Sequence, residues 1–393
     1  MKIAVLTSRF PFPLERGDKL RSYHQIRHLS QDHEVYLFCV CDVVPSESHM
    51  AEMYTFCKRV EYIHVDLPTF TFNILKNYST ELPFQCQGLY DSKFHDRIKA
   101  QIIRYKIDLV YCQLYRMAMY TNGVKQPIIL DLMDAFGVGL ERRVKISPWY
   151  SKWMYKIESD RIKQYEASLS QQFKALTIIS QQDKKLIQTS APEKIHILPN
   201  GIDTDFFTPL PDTPKYDVVF VGNLGYLPNI EAVEILVNKV IKTYHTKYGK
   251  KITCLIAGAR PSLRLLRIQS EEVKLLGWRE DIRTAYADGK VLCAPLFNGT
   301  GQQNKILESM AMERPCITTS FVNNAIQAEH GTDILIADSV EDMVSALYLL
   351  LNDQEIYTRI QINGRKFVAN NYNWKHINEK LNSIFAALLK QST

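Results

Sequence analysis

Asn298-Gly-Thr-Gly-Gln-Gln-Asn-Lys305-Ile-Leu-Glu308-Ser-Met-Ala-Met312 decides the reading of this chain, together with the apolar run Val291–Leu296 before it and Arg314-Pro-Cys-Ile-Thr-Thr319 after it. The pattern predicts a strand, a Gly-containing loop, a helix and a second strand. Lys305 and Glu308 stand three residues apart, so they share one helix face. A helix that opens at a Gly loop offers unpaired backbone N–H groups and the positive end of its dipole, which suits phosphate. Lys305 adds a full charge. Glu308, one turn deeper, can accept hydrogen bonds from a vicinal diol such as a ribose. Phosphate and ribose together point to a nucleotide bound in the second half of the chain.

Outward from this stretch, strand-like and helix-like runs alternate. In the first half strands are expected at Ile3–Thr7, Glu34–Asp42, Val60–Asp66, Ile107–Leu114, Pro127–Asp134, Leu176–Ser180 and Ile195–Pro199, with helices near 19–30, 92–105 and 148–173. The proline-dense segment 203–214 reads as a linker. Strands then restart at Asp217–Val221, Thr253–Ala257, Val273–Leu276, Val291–Leu296, Cys316–Thr319 and Ile334–Ala337. Several are solid apolar runs, as expected of parallel strands covered on both faces. Such alternation on both sides of a linker predicts an α/β protein of two doubly wound, Rossmann-like domains facing a cleft.

Composition agrees with that class. A chain of 393 residues exceeds one ordinary core, and 46% hydrophobic residues is a globular proportion. No run of about eighteen apolar residues marks a membrane span, and the first strand is too short for a secretory leader. The eight cysteines form no CxxC pair and no Cys/His metal spacing, which suggests a reducing cytoplasm and no structural zinc. The net charge of +6 comes without any nucleic-acid motif. It suits anionic sugar nucleotides or an anionic membrane surface. Asp203-Thr-Asp205 is a chance pattern in the linker, so no metal is expected.

The stretch at 298–319 resembles the donor signature of family 4 retaining glycosyltransferases of the GT-B fold, a Gly-rich loop followed by Lys-x-x-Glu and a small-residue helix. Sugar transferases of bacterial exopolysaccharide and cell-envelope operons are the most similar group. The resemblance extends to Pro11-Phe-Pro-Leu-Glu-Arg-Gly17-Asp-Lys-Leu-Arg21-Ser-Tyr-His24, Asp131-Leu-Met-Asp134, Asn200-Gly-Ile-Asp203 and Phe220-Val-Gly-Asn223. It implies an acceptor-binding domain over 1–203, a linker over 204–215 and a donor-binding domain over 216–372. The last segment, 373–393, is expected to pack back on the first domain. It further implies transfer of a sugar, with retention, from a nucleotide-sugar to a glycan or lipid-linked glycan, without a cofactor. A sugar-nucleotide epimerase of the non-hydrolysing type and an inactive nucleotide-sugar binding subunit are the alternatives.

The resemblance assigns Lys305 to the diphosphate and Glu308 to the ribose. Gly17, Gly222, Asn223, Arg260, Trp278, Arg279, Thr300 and Gly301 complete the expected donor set. For Arg260 an ordinary surface position is the competing reading, and for Trp278 a packed core edge. Asp18, Lys19, Arg21, Asp131 and Asp134 form the expected acceptor side, with Asp134 also a candidate catalytic base; Asp131 reads equally as a structural hydrogen-bond hub. The chain departs from the family pattern in four places. Thr300 replaces a Glu, and Glu313 stands where a Gly usually ends the helix. No Arg/Lys pair follows Gly222, and no His lies near Asp134.

Pro148-Trp-Tyr-Ser-Lys-Trp-Met-Tyr-Lys156 places Trp149, Trp153 and Ile157 on one helical stripe, flanked by Arg142, Arg143, Lys145, Lys152 and Lys156. Interfacial aromatics beside basic residues suit peripheral contact with an anionic membrane, at the inner face for a cytoplasmic protein. The competing reading buries the stripe against the sheet.

Overall fold

A computed structural model describes the chain except residues 78, 212–213, 298–301 and 391–393 and the side chains of residues 145–146. The chain forms two units, Met1–Pro199 with Ile377–Thr393, and Asn200–His376.

The first unit is built on β1 (Lys2–Thr7), β2 (Glu34–Cys41), β3 (Cys57–His64), β4 (Leu109–Gln113), β5 (Ile128–Met133), β6 (Ala175–Ile178) and β7 (Ile195–Ile197). They pair in parallel in the order β3-β2-β1-β4-β5-β6-β7. Ile3, Ala4, Val5 and Leu6 are all buried, so β1 shows none of the alternation of a half-exposed strand. The second unit repeats the plan with β8 (Tyr216–Val221), β9 (Cys254–Ala257), β10 (Val273–Leu276), β11 (Gly289–Ala294), β12 (Cys316–Thr318) and β13 (Leu335–Ile336), in the order β10-β9-β8-β11-β12-β13. Each sheet reverses its order once, between β1 and β4 and between β8 and β11. The loops at the carboxyl ends of those strands are where such sheets bind ligands.

Every strand expected from the sequence forms, within a few residues. Helices Gly17–Asp32, Ser92–Tyr105 and Trp149–Gln172 cover the expected stretches. The segment read as a linker lies inside the second unit. Ile202 pairs with Asn373 in an isolated bridge, and Phe207 and Leu210 pack on that unit's core. The last helix, Trp374–Lys390, belongs to the first unit from Ile377 onward, where Phe385 meets the Tyr111 ring. Glu313 does adopt the left-handed conformation, at φ 55°, so the helix ends there without the usual glycine. All eight cysteines are buried free thiols. Among the described residues no helix is long and apolar enough to cross a membrane.

The first unit is fastened at one buried ion pair. Arg21, on helix Gly17–Asp32, donates from Nε to Asp131 Oδ2 at 2.6 Å and from Nη2 to Oδ1 at 3.0 Å. It also donates to the carbonyls of Leu198 and Pro199. Asp131 on β5 accepts in addition from the Tyr111 hydroxyl on β4 and the Thr177 hydroxyl on β6. Both charged side chains have no exposed surface. The expectation that Arg21 and Asp131 face an acceptor is therefore corrected. Their hydrogen-bonding capacity is used inside the unit, where they join a helix to neighbouring strands.

Removing one partner of such a pair strands a buried charge, which costs about 3–5 kcal/mol. Arg21→Met and Asp131→Ala should each lower the stability of the first unit by that order in urea unfolding followed by circular dichroism. Stability near that of the parent, with activity alone lost, would return both residues to the acceptor side.

Candidate functional site

In the second unit, chemistry gathers at the carboxyl ends of β8, β9 and β11. Lys305 lies in the first turn of helix Asn304–Ala311, whose amphipathic pattern buries Ile306, Leu307, Met310 and Ala311. Its side chain crosses under the loop after β8. Nζ donates to Asn229 Oδ1 at 2.5 Å and to Gln303 Oε1 at 3.4 Å, and lies 5.0 Å from the centre of the Phe220 ring. It makes no ion pair among the described residues. Burial, opposed by the nearby charge of Glu308, pushes the ammonium down to about 7. The group is thus half-charged at neutral pH, and an anion brought to it favours the charged form.

Asn229 is held in turn. Its Nδ2 donates to the Asn223 carbonyl at 2.9 Å. Gly222 fits between the two: a Cβ there would lie 3.0 Å from Asn229 Nδ2 and 3.3 Å from Lys305 Cε. Gly258 meets a harder limit, with φ 152° and space for a Cβ only 1.7 Å from the Gly222 carbonyl oxygen. Glycine at 258 is what lets the ends of β8 and β9 approach so closely. Arg260 follows, exposed and itself left-handed at φ 57°, so the surface reading of its side chain holds for this structure.

Glu308 stands one turn beyond Lys305, half-buried. Its Oε2 accepts from the buried Tyr286 hydroxyl at 2.6 Å, which leaves Oε1 available to a ligand. Burial raises its carboxyl, against the Tyr286 hydrogen bond and the Lys305 charge, which lower it. Trp278 is 71% exposed, so the packed-edge reading is wrong and its face is available for stacking. Arg279 is engaged within the unit, bonded to Asp288 at 3.2 Å and Thr284 at 3.4 Å. Asn223 is exposed, its side chain accepting from the Gly225 N–H. Thr300 and Gly301 lie outside the described residues.

In the first unit Asp134 follows β5. Met133, at φ 61°, turns the chain sharply before it. Burial, with Asp183 as the next cause, pushes its carboxyl up to about 7 although Arg21 opposes the shift. Its Oδ1 is buried without a partner. Asp183 and Glu166 are also raised by burial, Glu166 to about 8 while accepting the N–H groups of Phe136 and Gly137. Such a carboxyl can accept or donate to a hydroxyl near neutral pH. Asp18 is bound by Arg9 and has Arg116 3.8 Å away. Lys19 reaches only Glu15, at 3.9 Å. Gly17 begins its helix with negative φ and open space around it, so nothing in its own conformation requires glycine.

Asn229 and Tyr286 are functional candidates that the sequence reading missed as site residues. They come from other helices, Leu227–Ile235 and Ile282–Ala287, than Lys305 and Glu308, and nothing in their spacing links them. A cavity of about 500 Å³ is lined by Gln126, Pro127 and Lys174 at the amino ends of β5 and β6, the wrong edge for this chemistry.

Residues 215–353 match the family described as glycosyl transferases group 1. An uncharacterized 44.6 kDa protein in the cps region of Klebsiella pneumoniae is 22% identical over the whole of both chains. Among solved structures, sucrose-phosphate synthase from Thermosynechococcus elongatus superposes over the whole of both chains with TM-score 0.71 at 14% identity. Anabaena Alr3699/HepE in complex with UDP superposes with TM-score 0.68 at 14% identity, over 98% of this chain and 100% of that one. The chain therefore has the GT-B fold, and residues 215–353 of its second unit match the glycosyl transferases group 1 family, which supports sugar transfer as its chemistry.

Proposed function

We propose that this protein is a retaining glycosyltransferase that moves a sugar from a nucleotide-sugar to a glycan or lipid-linked glycan in envelope or exopolysaccharide synthesis. The observation that carries the reading is Lys305, a desolvated ammonium among neutral partners at the carboxyl end of a parallel sheet, with Glu308 one turn along. A diphosphate beside Nζ meets a cation whose charge no carboxylate has already neutralised by pairing. Glu308 Oε1 accepts the ribose hydroxyls while Tyr286 holds the other oxygen. Trp278 offers a face to the base. Anabaena HepE, whose structure holds UDP, and the cps-region relative support a sugar-nucleotide donor and a polysaccharide pathway.

Transfer breaks the bond from the anomeric carbon to the diphosphate and forms one to the acceptor oxygen on the same face. The acceptor proton passes to the departing phosphate oxygen. Among the described residues no side chain in the site is placed as a nucleophile. Asp134 binds an acceptor hydroxyl in the first unit. Lys305 and the helix N–H groups stabilise the leaving charge.

The first unit also carries the means to rest on a membrane. Trp149 is 84% exposed and Trp153 62% exposed, so the stripe is not packed against the sheet. Helix Leu67–Lys76 adds exposed Leu67, Phe72 and Leu75. The short helix Phe84–Leu89 links these surfaces. Glu158 of the long helix accepts the N–H groups of Phe84 and Gln85, and Asn73 donates to the Gly88 carbonyl.

Incubation with UDP-, GDP- and ADP-sugars should release nucleoside diphosphate only when an acceptor is added. Release without acceptor, or isomerised donor instead of product, would contradict transfer. Lys305→Ala should lower kcat/KM by about 10²-fold or more. Glu308→Gln should weaken nucleoside diphosphate binding about tenfold with the fold intact. Parent-like binding in either variant would remove that assignment.

Binding to anionic vesicles should be reversible, since each basic residue at the surface contributes about 1 kcal/mol before screening. Co-sedimentation should fall as salt rises and after Lys152→Glu with Lys156→Glu. Binding indifferent to both changes would exclude this surface.

A further inference from the structure

The carboxyl ends of β1, β2 and β3 and the turn after β4 enclose a second cavity of the first unit, about 330 Å³. One side is cationic. Arg116 donates from Nη1 to Gln85 Oε1 at 3.1 Å, and its Nη2 lies 3.8 Å from Asp18, a loose contact. Its Nε is buried with no partner, and the residue is only 7% exposed. Arg9 binds the same Asp18 carboxylate, so two guanidiniums share one anion. The buried Ser8 hydroxyl beside them also has no partner. Asp42 lines the cavity too, but it is exposed. The other side is apolar, formed by Leu67, Phe70 and Leu89.

A buried guanidinium that lacks a close counter-charge and keeps an unused donor is costly, and an oxyanion removes that cost by accepting from it. Burial and the charge of Arg9 both press the Arg116 guanidinium toward the neutral form, which an arriving anion would reverse. The apolar wall suits the C–H face of a sugar ring. The volume suits one sugar carrying one charged group.

We infer that this cavity recognises an oxyanion carried on the acceptor sugar, a carboxylate or a phosphate, through Arg9, Arg116 and Ser8. The inference rests on the transfer reading and narrows its acceptor to an acidic one. The carboxylate belongs to a uronic acid, and the phosphate to a sugar phosphate such as the reducing end of a lipid-linked acceptor.

Glucuronic acid, glucose 1-phosphate and glucose separate the cases when titrated calorimetrically into the full chain. The titration is repeated in Lys305→Ala, so that the phosphate is not read at the nucleotide site. At least one of the anionic sugars should bind both proteins alike, and glucose should bind neither. The anion that binds identifies the acceptor group. Arg9→Gln and Arg116→Gln should each weaken that binding about tenfold or more, the loss expected for one charged hydrogen bond. Should Arg116→Gln fail to fold, Arg9→Gln decides, because the Arg9 side chain is 23% exposed and tolerates replacement. Equal binding of glucose and the anions, no binding of either anion, or undiminished binding by Arg9→Gln would overturn the inference. Undiminished transfer onto an acidic acceptor by Arg9→Gln would overturn it too, while leaving glycosyl transfer itself standing.

Discussion

Parallel pairing is the constraint from which the rest of this molecule follows. Parallel strands cannot be joined by tight hairpins, so each connection crosses over the sheet, and helices come to cover both faces. The strands must then be largely apolar, with runs such as residues 3–6, 109–112 and 218–221 buried. Apart from the saturated Asp131 hub, polar chemistry gathers at the strand ends. There the loops after β8 and β9 close on each other through Gly222 and Gly258, and the loop after β5 turns at Met133. Each unit therefore concentrates its charged groups at one edge, and the question for each group is whether the fold has already neutralised it.

Two buried cations, Arg21 and Lys305, answer that question in opposite ways. Arg21 is fully satisfied, by two bonds to Asp131 and by backbone carbonyls, and its guanidinium is raised above its ordinary value by the Asp131 charge despite burial. Such a group has nothing left for a ligand and serves the fold. Lys305 has only neutral hydrogen-bond acceptors and an aromatic face, and burial drives it down to about 7. An ammonium in that state is poorly stabilised until an anion arrives. The same contrast separates Asp131, saturated with donors, from Asp134, whose Oδ1 is buried without a partner.

Much of this was legible in the sequence, because it depends on periodicity. Solid apolar runs mark several strands, and the three-residue spacing of Lys305 and Glu308 places them on one helix face. What periodicity cannot reveal is which loops meet. Asn229 and Tyr286 reach Lys305 and Glu308 from positions 76 and 22 residues away. Arg21 and Asp131 resemble site residues by their place in a motif, yet they meet each other across 110 residues and leave the surface. For Trp149 and Trp153 the sequence allowed either a membrane-facing or a packed stripe. Their helical stripe fits burial as well as exposure, and only the packing of the long helix decides for exposure. The pairing of Arg9 with Arg116 around Asp18 had no sequence signal, since Arg116 reaches the connection between β1 and β2 from the turn after β4.

The central claim is that Lys305 is only partly charged near neutral pH until a nucleotide diphosphate restores its full charge. Calorimetry of UDP or GDP binding in buffers of different ionisation enthalpy measures this directly. Lys305 free at about 7 is largely neutral at about pH 8 and largely charged at about pH 6. Binding an anion raises its pKa, so protons must be taken up where the free group is neutral, and affinity must fall as pH rises through that range. The account predicts net uptake that approaches one proton at about pH 8, vanishes near about pH 6, and is missing in Lys305→Ala. Uptake that is the same in parent and variant at the higher pH would contradict it.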